Sequence, residues 1–225
     1  RYYKLENAEA ITLSGQFSIR WIEGKMNAYL NKLLKTDSKD YVIASDTDSI
    51  YLNLGHLVQT IFGENTDVDK TKIVNFLDKA CQDQFEPFIE KSYAELASYV
   101  NAYEQKMFMK RENIADRGIW TAKKRYILNV WDSEGVRYEK PKLKVMGIEA
   151  VKSSTPAPCR QMLKDAFNKI MTGTEDDVIE FIEDCRRKFK SMPPEDIAFP
   201  RSVSEVDKYK ASSTIYAKGT PIHCR

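Results

Sequence analysis

The stretch YVIASDTDSIYLNLG, residues 41–55, constrains the fold of this chain more than any other segment. Its two halves, YVIAS and IYLNL, are rich in β-branched and aromatic residues, which favour half-buried strands. Between them lies the short polar segment DTDS, whose residues favour tight turns. The pattern predicts an antiparallel β-hairpin that carries Asp46 and Asp48 at its tip.

Segments with a helical period flank this hairpin. Apolar residues recur near a 3.6-residue spacing over residues 7–35 and again over about 70–105, where Pro87 predicts a kink or break. A second β region follows, with strand-like runs WTAKKRYILNVWD, VRY and PKLKVMGIEA joined by short turns. From Pro156 onward there are two amphipathic helices separated by TGT. This order predicts an α+β fold, in which an antiparallel sheet packed on helices precedes a mainly helical region.

Length and composition limit the class of protein. With 225 residues, the chain can bury one substantial core or two modest ones. No apolar run approaches the roughly 18 to 20 residues of a membrane helix, and RYYKLENAEA lacks the apolar region of a signal peptide. The four cysteines are scattered without metal-ligand spacing, which indicates reduced thiols. We therefore expect a cytoplasmic protein.

The Asp46 and Asp48 pair has more than one interpretation. Aspartate is common in turns, where it hydrogen-bonds its own backbone, so the pair could be structural. A calcium loop is excluded, because Tyr51 stands where the sixth position needs glycine and Leu57 where the twelfth needs glutamate. Two carboxylates near a packed sheet repel each other unless a cation lies between them. Magnesium suits that need, since it binds through one or two carboxylates together with substrate phosphates.

A basic stretch extends from Arg117 to Lys152, and its cations are interleaved with aromatic residues such as Trp120, Tyr126 and Trp131. Strands with cations on one face and aromatics packed on the other can follow a phosphate backbone. An edge strand protected by lysine gives the same pattern. The net charge of +2 is too small to decide between these interpretations.

Five segments, in order, carry a resemblance to a known family. DTDS between two apolar strands resembles the third palm motif of family B (alpha-like) DNA polymerases, and RYYKLENAEAITLSGQ resembles the helix that enters it. KKRY at 123–126 resembles the primer-contacting palm motif, KVMGIEAVKSSTP the palm-to-thumb transition, and KGTPIHCR a thumb segment. The resemblance is greatest to the polymerases of T-even-like tailed bacteriophages. It implies a partial palm over residues 1–152 and a partial, mainly helical thumb over residues 153–225.

The resemblance also implies roles for individual residues. The second aspartate of DTD, here Asp48, corresponds to a ligand of two magnesium ions, and the first, Asp46, supports that metal site. Glu112 matches an auxiliary acidic residue, although it could form a plain ion pair with Arg111. By residue type alone, Tyr126 is more typical of a core than of a DNA contact. The residues implied to contact duplex DNA are Lys123, Lys124, Arg125, Tyr126 and Lys152.

The chain departs from the family pattern. Ser45 stands where the family usually has glycine before DTDS, and the first palm motif, the fingers motif and the exonuclease domain are absent. The resemblance therefore implies a fragment of a template-directed polymerase, which adds dNTPs to a primer 3′-hydroxyl in the host-cell cytoplasm and is inactive alone. Its magnesium site is only partly supplied by this chain. The implied partners are primer–template DNA, dNTP, the remaining polymerase domains (exonuclease, fingers and the rest of the palm), and a sliding clamp bound through a C-terminal tail, with no membrane.

Other functions remain open from the sequence. The chain could be one half of a split polymerase, or a non-catalytic module that binds duplex DNA and in which DTDS is only a turn. Divalent-metal dependence that Asp48→Ala removes would separate the catalytic from the binding hypothesis. A metal-dependent nuclease is disfavoured, because its carboxylate cluster would have to be complete and only Asp46, Asp48 and Glu112 are convincing ligands. As a fragment, the isolated chain is expected to expose apolar surface.

Overall fold

The computed structural model describes residues 4–63 and 68–202. These residues form two compact units. Unit 1 comprises the described residues up to Asp116 together with Val130–Lys142, and unit 2 comprises Arg117–Asn129 and the described residues from Leu143 onward. Among these residues, no helix has both the length and the apolar character needed to cross a membrane.

Helices and strands occur in groups along the chain, in the order that the sequence predicts except for α2. The first part contains α1 (Leu5–Leu34), β1 (Val42–Asp46), β2 (Ser49–Leu52), α2 (Gly55–Phe62), α3 (Lys70–Ala80) and α4 (Glu86–Tyr99). The second part contains β3 (Asn113–Ala122), β4 (Arg125–Ser133), β5 (Val136–Met146), α5 (Ala157–Thr172), α6 (Glu175–Ser191) and the short α7 (Pro194–Ile197). The expected α+β class is confirmed. The division into palm and thumb at residue 152 stays a prediction.

The core of unit 1 is built on α1. Ile22, Met26 and Leu30, spaced four residues apart on one helical face, are fully buried. They pack in one apolar cluster with side chains from the hairpin and from α2, α3 and α4, among them Tyr41, Val42, Leu57, Leu77, Phe85, Ile89 and Leu96. Burial of each large apolar side chain stabilises the fold by about 1.5–3 kcal/mol.

The predicted hairpin is present, and α1 anchors its base. β1 and β2 pair antiparallel with Asp46 opposite Ser49. Oδ1 of Asn27 on α1 accepts hydrogen bonds from the backbone N–H groups of Tyr41 at 2.8 Å and Val42 at 2.9 Å. Because Tyr41 and Val42 are also buried, both polar and apolar contacts fix the point where the hairpin leaves the core.

The break predicted at Pro87 takes the form of a π-helical turn. Residues Cys81–Phe85 join α3 to α4 without a loop. Proline lacks the N–H that would continue the helical hydrogen bonds. Just before it, the N–H of Glu86 donates to the carbonyl oxygen of Cys81, five residues earlier. The chain therefore keeps a helical course up to Tyr99.

The second β region forms a three-stranded sheet in the order β3-β4-β5. Each connecting turn has two residues, Lys123–Lys124 and Glu134–Gly135. Glu134 and Gly135 both have positive φ, at 52° and 88°, which is typical of the hairpin turn whose twist matches that of the strands. The sequence predicts the β region and the turn at Glu134–Gly135. It does not predict the turn at Lys123–Lys124, which divides the run WTAKKRYILNVWD, nor that VRY and PKLKVM form the single strand β5. It also does not predict α2, which is too short to show a helical period.

Unit 2 has its own smaller core. Buried side chains from β4, from the loop after β5 and from α5 form one cluster: Ile127, Ile148, Ala150, Phe167 and Met171. Helix α6 begins with a capping box, in which Thr174 and Asp177 each accept a hydrogen bond from the other's backbone N–H. The thumb-like segment KGTPIHCR lies outside the described residues.

The N-terminal half of α1 leaves apolar side chains in solvent. Leu5 is 81% exposed, Ile11 75%, Leu13 54% and Phe17 42%. We expect the isolated chain to raise the fluorescence of a hydrophobic dye while it still unfolds cooperatively, because exposed apolar patches bind such dyes and mark interaction surfaces. Ile11→Gln should lower the signal. The matched control Ser14→Gln should not, and a chain that binds no dye would contradict the expectation.

Candidate functional site

The turn between β1 and β2 holds the two aspartates in a constrained loop. Thr47 has φ 52°, a left-handed conformation that is uncommon for a β-branched residue. The N–H of Asp48 donates to the carbonyl oxygen of Asp46 at 2.6 Å. The hydroxyl of Thr47 donates to Oδ1 of Asp46 at 3.0 Å, and that of Ser49 to the carbonyl oxygen of Asp46 at 3.1 Å. Strained backbone of this kind is concentrated at functional sites.

The carboxylates differ in exposure, and a buried tyrosine lies close to one of them. Asp46 is half-buried and Asp48 is exposed. Tyr93 on α4 is 2% exposed, and its hydroxyl has no hydrogen-bond partner among the described residues. Burial, together with the negative charge of Asp48, raises the pKa of Tyr93 to about 12. Unit 1 therefore contains a buried, unsatisfied hydroxyl that interacts electrostatically with Asp48.

Because the pKa of Tyr93 is raised, we expect the free energy of unfolding to fall in strong alkali. Its pKa is raised from 10.0 to about 12, so the unfolded state loses the phenol proton first. The stabilising effect is complete below pH 10 and is lost as the pH rises through 12, at up to about 1.4 kcal/mol per pH unit. Tyr93→Phe should remove this contribution and also the cost of a buried, unpaired hydroxyl, about 1–3 kcal/mol.

Urea unfolding between pH 8 and 11.5 tests this expectation. Cys81, whose pKa burial raises to about 11, adds a slope of the same sign in every variant. The matched control is Tyr103→Phe, because the side chain of Tyr103 is fully exposed. An identical pH slope for Tyr93→Phe and Tyr103→Phe would contradict the role given to Tyr93.

The hairpin can contribute to a magnesium site but does not complete one. Asp46 and Asp48 supply hard carboxylate oxygens, which are the donors that Mg²⁺ prefers. The hydroxyl of Tyr93 interacts electrostatically with Asp48 and has no hydrogen-bond partner among the described residues. It fits a site in which a bound metal and its waters supply the missing partner. Across residues 4–63 and 68–202 there is no cluster of three or more His, Cys, Asp or Glu side chains that could hold a metal ion. Glu112 is thus not gathered with the two aspartates into a three-carboxylate cluster.

Glu112 lies just before β3, on the rim of a groove in unit 1. Its side chain is exposed. Its carbonyl oxygen accepts a hydrogen bond from the N–H of Glu134 at 2.6 Å and another from Nη1 of Arg111 at 3.4 Å. The groove is lined by Asp78, Gln82, Glu86, Lys110, Arg111, Glu112, Glu134 and Gly135. The carbonyl oxygen of Glu112 is therefore held by two hydrogen bonds, and Oε2 of its exposed side chain accepts another from Nδ2 of Asn113 at 3.4 Å.

The KKR residues form the exposed turn between β3 and β4. Lys123, Lys124 and Arg125 are all exposed, and Lys124 has φ 60°. The backbone of this turn passes so close to Gly147 that a Cβ there would lie 2.0 Å from the carbonyl oxygen of Lys124. Gly147 also has φ +67°, so only glycine fits this approach. The contact fixes the position of the cationic turn within unit 2.

Arg125 and Lys152 meet at a shared carboxylate. Nη2 of Arg125 and Nζ of Lys152 each lie 3.0 Å from Oε1 of Glu149. The hydrogen bond from Lys152, assisted by the charge of Arg125, lowers the pKa of Glu149. Arg160 on α5 donates to the carbonyl oxygens of Lys152 and Ser153. Two of the residues predicted to contact DNA are therefore brought together, which their separation in sequence did not show.

Tyr126 is placed differently from its cationic neighbours. It is 8% exposed, and its ring centroid lies 6.2 Å from that of Trp120. This placement is typical of a packing residue. Its role as a DNA contact stays a prediction, as do the roles of Lys123, Lys124, Arg125 and Lys152.

The sequence did not predict an ion network that includes Arg111, the residue before Glu112. Asp132, at the end of the apolar strand β4, is completely buried and pairs with Arg111 and Arg137. Asp78 on α3 binds the same two arginines. One signal was available in sequence. An aspartate directly after the apolar run YILNVW needs a cationic partner if that strand is buried.

Two curated relatives match this chain. The DNA-directed DNA polymerase of Escherichia phage RB69 is 39% identical over 233 residues, a match that covers 100% of this chain and 26% of the relative. The DNA-directed DNA polymerase of Enterobacteria phage T4 is 36% identical over 217 residues, covering 93% of this chain and 24% of the relative. No protein-family model matches the chain.

The chain is homologous to the DNA-directed DNA polymerases of T4-like phages, over its whole length for the phage RB69 polymerase and over 93% of it for the phage T4 polymerase. The resemblance to T-even-like phage polymerases expected from DTDS and KKRY is therefore confirmed. The chain spans about a quarter of the length of these curated relatives.

Proposed function

We propose that this chain is the part of a family B DNA polymerase that carries the DTDS metal ligands and a primer-binding turn. One observation carries the proposal. Asp46 and Asp48 lie together at the tip of a constrained hairpin, in a chain that matches phage polymerases along its whole length. We assign residues 1–152 to the palm and residues 153–225 to the thumb.

Each candidate residue has a defined role in this proposal. Asp48, the exposed carboxylate, is the direct metal ligand, and Asp46 supports it. Asp46 and Asp48 would hold magnesium, whose positive charge would favour the attacking form of the primer 3′-hydroxyl and would stabilise the negative charge of the leaving pyrophosphate. Glu112 adds an auxiliary acidic group to the reaction site. The cationic turn and Lys152 hold the primer strand through its phosphates, so the chain positions one reactant.

The chain alone is not expected to extend a primer. The segments that supply the other metal-binding aspartate and the triphosphate-binding lysine in this family have no counterpart in its 225 residues. The reaction therefore needs the exonuclease, fingers and remaining palm parts, with primer–template DNA and dNTP as substrates. A sliding clamp is a further partner of the assembled enzyme.

A localised radical-cleavage experiment tests the metal site. The test protein is a chimaera in which this chain replaces the matching quarter of the phage RB69 polymerase. Fe²⁺ replaces Mg²⁺, and ascorbate with peroxide then cuts backbone close to the bound ion. We expect cuts near residues 46–48 that excess Mg²⁺ suppresses and that Asp48→Ala removes. Cuts that are absent from the hairpin, or unchanged by Asp48→Ala, would contradict the proposal.

A second function, duplex-DNA binding without chemistry, is supported by the Glu149 cluster. Arg125 and Lys152 are close enough to bind one stretch of phosphates, but Glu149 competes for both. We expect Glu149→Gln to tighten duplex binding by the chain severalfold. The slope of log K against log salt should steepen by up to about 0.9 for each released cation.

Fluorescence anisotropy with labelled duplex DNA at several salt concentrations measures both quantities. Asp184→Asn is the matched control, because Asp184 pairs with Lys188 and Arg187 on α6 and its loss changes the net charge equally. Equal effects of the two variants would show that only net charge matters and would remove the special role of Glu149.

A further inference from the structure

Four charged residues in unit 1 form a closed ion network. Nη2 of Arg111 pairs with Oδ1 of Asp78, and Nη1 of Arg111 pairs with Oδ1 of Asp132. Nη2 of Arg137 lies 2.9 Å from Oδ2 of Asp78, and Nη1 of Arg137 lies 3.2 Å from Oδ2 of Asp132. Each arginine thus bridges both carboxylates, and the two signs alternate around the ring.

Two members of the network are buried, and buried charges need ion-pair and hydrogen-bond partners. The side chain of Asp132 is 0% exposed and that of Arg111 10%. Ions removed from water are stable only when well paired and hydrogen-bonded. Asp132 pairs with two guanidinium groups, and its Oδ1 accepts a hydrogen bond from the N–H of Gly135 at 3.1 Å. Its Oδ2 has no hydrogen bond among the described residues, so the ion pair with Arg137 balances the charge on that side. The geometry of one member therefore depends on the others.

The ion network contacts Glu112 through a hydrogen bond to the Glu112 backbone. Arg111 is the residue before Glu112 and donates to its carbonyl oxygen. The N–H of Arg111 in turn donates to Glu86 at 3.1 Å. Glu134, whose N–H also holds the carbonyl oxygen of Glu112, lies on the β4–β5 turn between Asp132 and Arg137. One donor to the carbonyl oxygen of Glu112 is thus a member of the ring, and the other lies on the turn between two members.

We propose that Asp78, Arg111, Asp132 and Arg137 are positioning residues that set the carboxylate of Glu112 at the rim of the groove. The proposal rests on the proposed polymerase function, in which Glu112 is the auxiliary acidic group. Arg137 pairs with Asp78 and Asp132, and it acts on Glu112 through these two carboxylates. A ring that merely joins α3 to the sheet would stabilise the fold without any coupling to Glu112.

A double-mutant cycle in the RB69 chimaera separates these two roles. Arg137→Gln removes one bridge from a partly exposed position, and Glu112→Gln removes the acidic group. We expect Arg137→Gln to lower kcat for primer extension about tenfold, with little change in KM for dNTP. An effect of this size is typical of residues that orient a functional side chain without contacting the substrate. In the Glu112→Gln background the same change should cost less than about twofold, because the group that it positions is already lost.

Conservative and matched variants complete the cycle. Arg137→Lys retains the charge but not the two-pronged bridge, so it should recover only part of kcat. Lys25→Gln, which breaks the exposed pair with Glu95 elsewhere in unit 1, should leave kcat unchanged. Equal losses from Arg137→Gln in both backgrounds would overturn the proposal in favour of a purely structural ring.

Amide hydrogen exchange gives a readout that needs no activity. In the 225-residue chain, Arg137→Gln should accelerate exchange of the Glu134 N–H, which donates to Glu112, by at least about tenfold, while Lys25→Gln should not. Unchanged exchange would overturn the positioning proposal by itself. An inactive reference chimaera would instead contradict the proposed polymerase function, and the exchange result would still decide whether the ring holds Glu112.

Discussion

Replacing Asp48 with alanine is expected to abolish primer extension by the chimaera. Asp48 is the exposed carboxylate at the tip of the β1–β2 hairpin and the residue that we assign as direct metal ligand. Metal stabilisation of a phosphoryl-transfer transition state is worth several kcal/mol, and each 1.4 kcal/mol is a factor of ten in rate. The extension rate should therefore fall about a thousandfold or more. Single-turnover extension over a range of Mg²⁺ concentrations measures it.

Two controls make the result specific. Asp37→Ala removes an exposed aspartate from the α1–β1 loop, outside the hairpin, and should leave the rate close to that of the reference. Duplex binding by the Asp48→Ala chimaera should persist, because the phosphate contacts that we propose come from unit 2. A variant that extends primers within a few-fold of the reference rate would contradict the metal-ligand assignment.

Replacing Asp132 with asparagine is expected to give the largest loss of stability. The side chain is completely buried, and the change leaves Arg111 and Arg137 without one of their two carboxylates. Breaking a buried ion pair by removing one partner costs about 3–5 kcal/mol, since it leaves uncompensated charge in a low-dielectric interior. Asparagine has nearly the same shape as aspartate, so the loss in the free energy of unfolding comes from the missing charge and not from a cavity. Urea unfolding of the 225-residue chain measures the free energy of unfolding.

The matched control for this change is Glu95→Gln. It breaks the pair between Lys25 and Glu95, whose side chains are 37% and 46% exposed. Exposed pairs contribute little, because water and salt screen them. If the Asp132 and Glu95 variants lose similar amounts of stability, the buried network does not stabilise unit 1 in the way described.

The elements that the sequence predicts are those with strong local signals. The apolar period over residues 7–35 is enough to predict α1, but not its buried face. Ile11 follows that period and is 75% exposed, whereas the buried row is Ile22, Met26 and Leu30. DTDS lies between two β-rich runs, and the hairpin follows from that contrast alone. Pro87 gives the position of the helical irregularity but not its π-helical form.

The features that the sequence did not predict depend on partners far apart in the chain. Arg137 and Asp78 are separated by 59 residues, and Arg111 and Asp132 by 21. Glu149 could be counted as a charge but not recognised as the common partner of Arg125 and Lys152. Such pairs exist only after the strands and helices pack, so no local pattern reports them. The catalytic residue types, in contrast, could be proposed from motif resemblance before any packing was known.

Primer extension by three preparations tests the central claim most directly: this chain alone, the RB69 polymerase lacking its matching quarter, and the chimaera that joins them. With Mg²⁺ and all four dNTPs, we predict extension by the chimaera only, lost on Asp48→Ala. A folded chimaera that binds primer–template DNA but does not extend it would contradict the account. So would extension by the chain alone, because that would require a complete active site within these 225 residues.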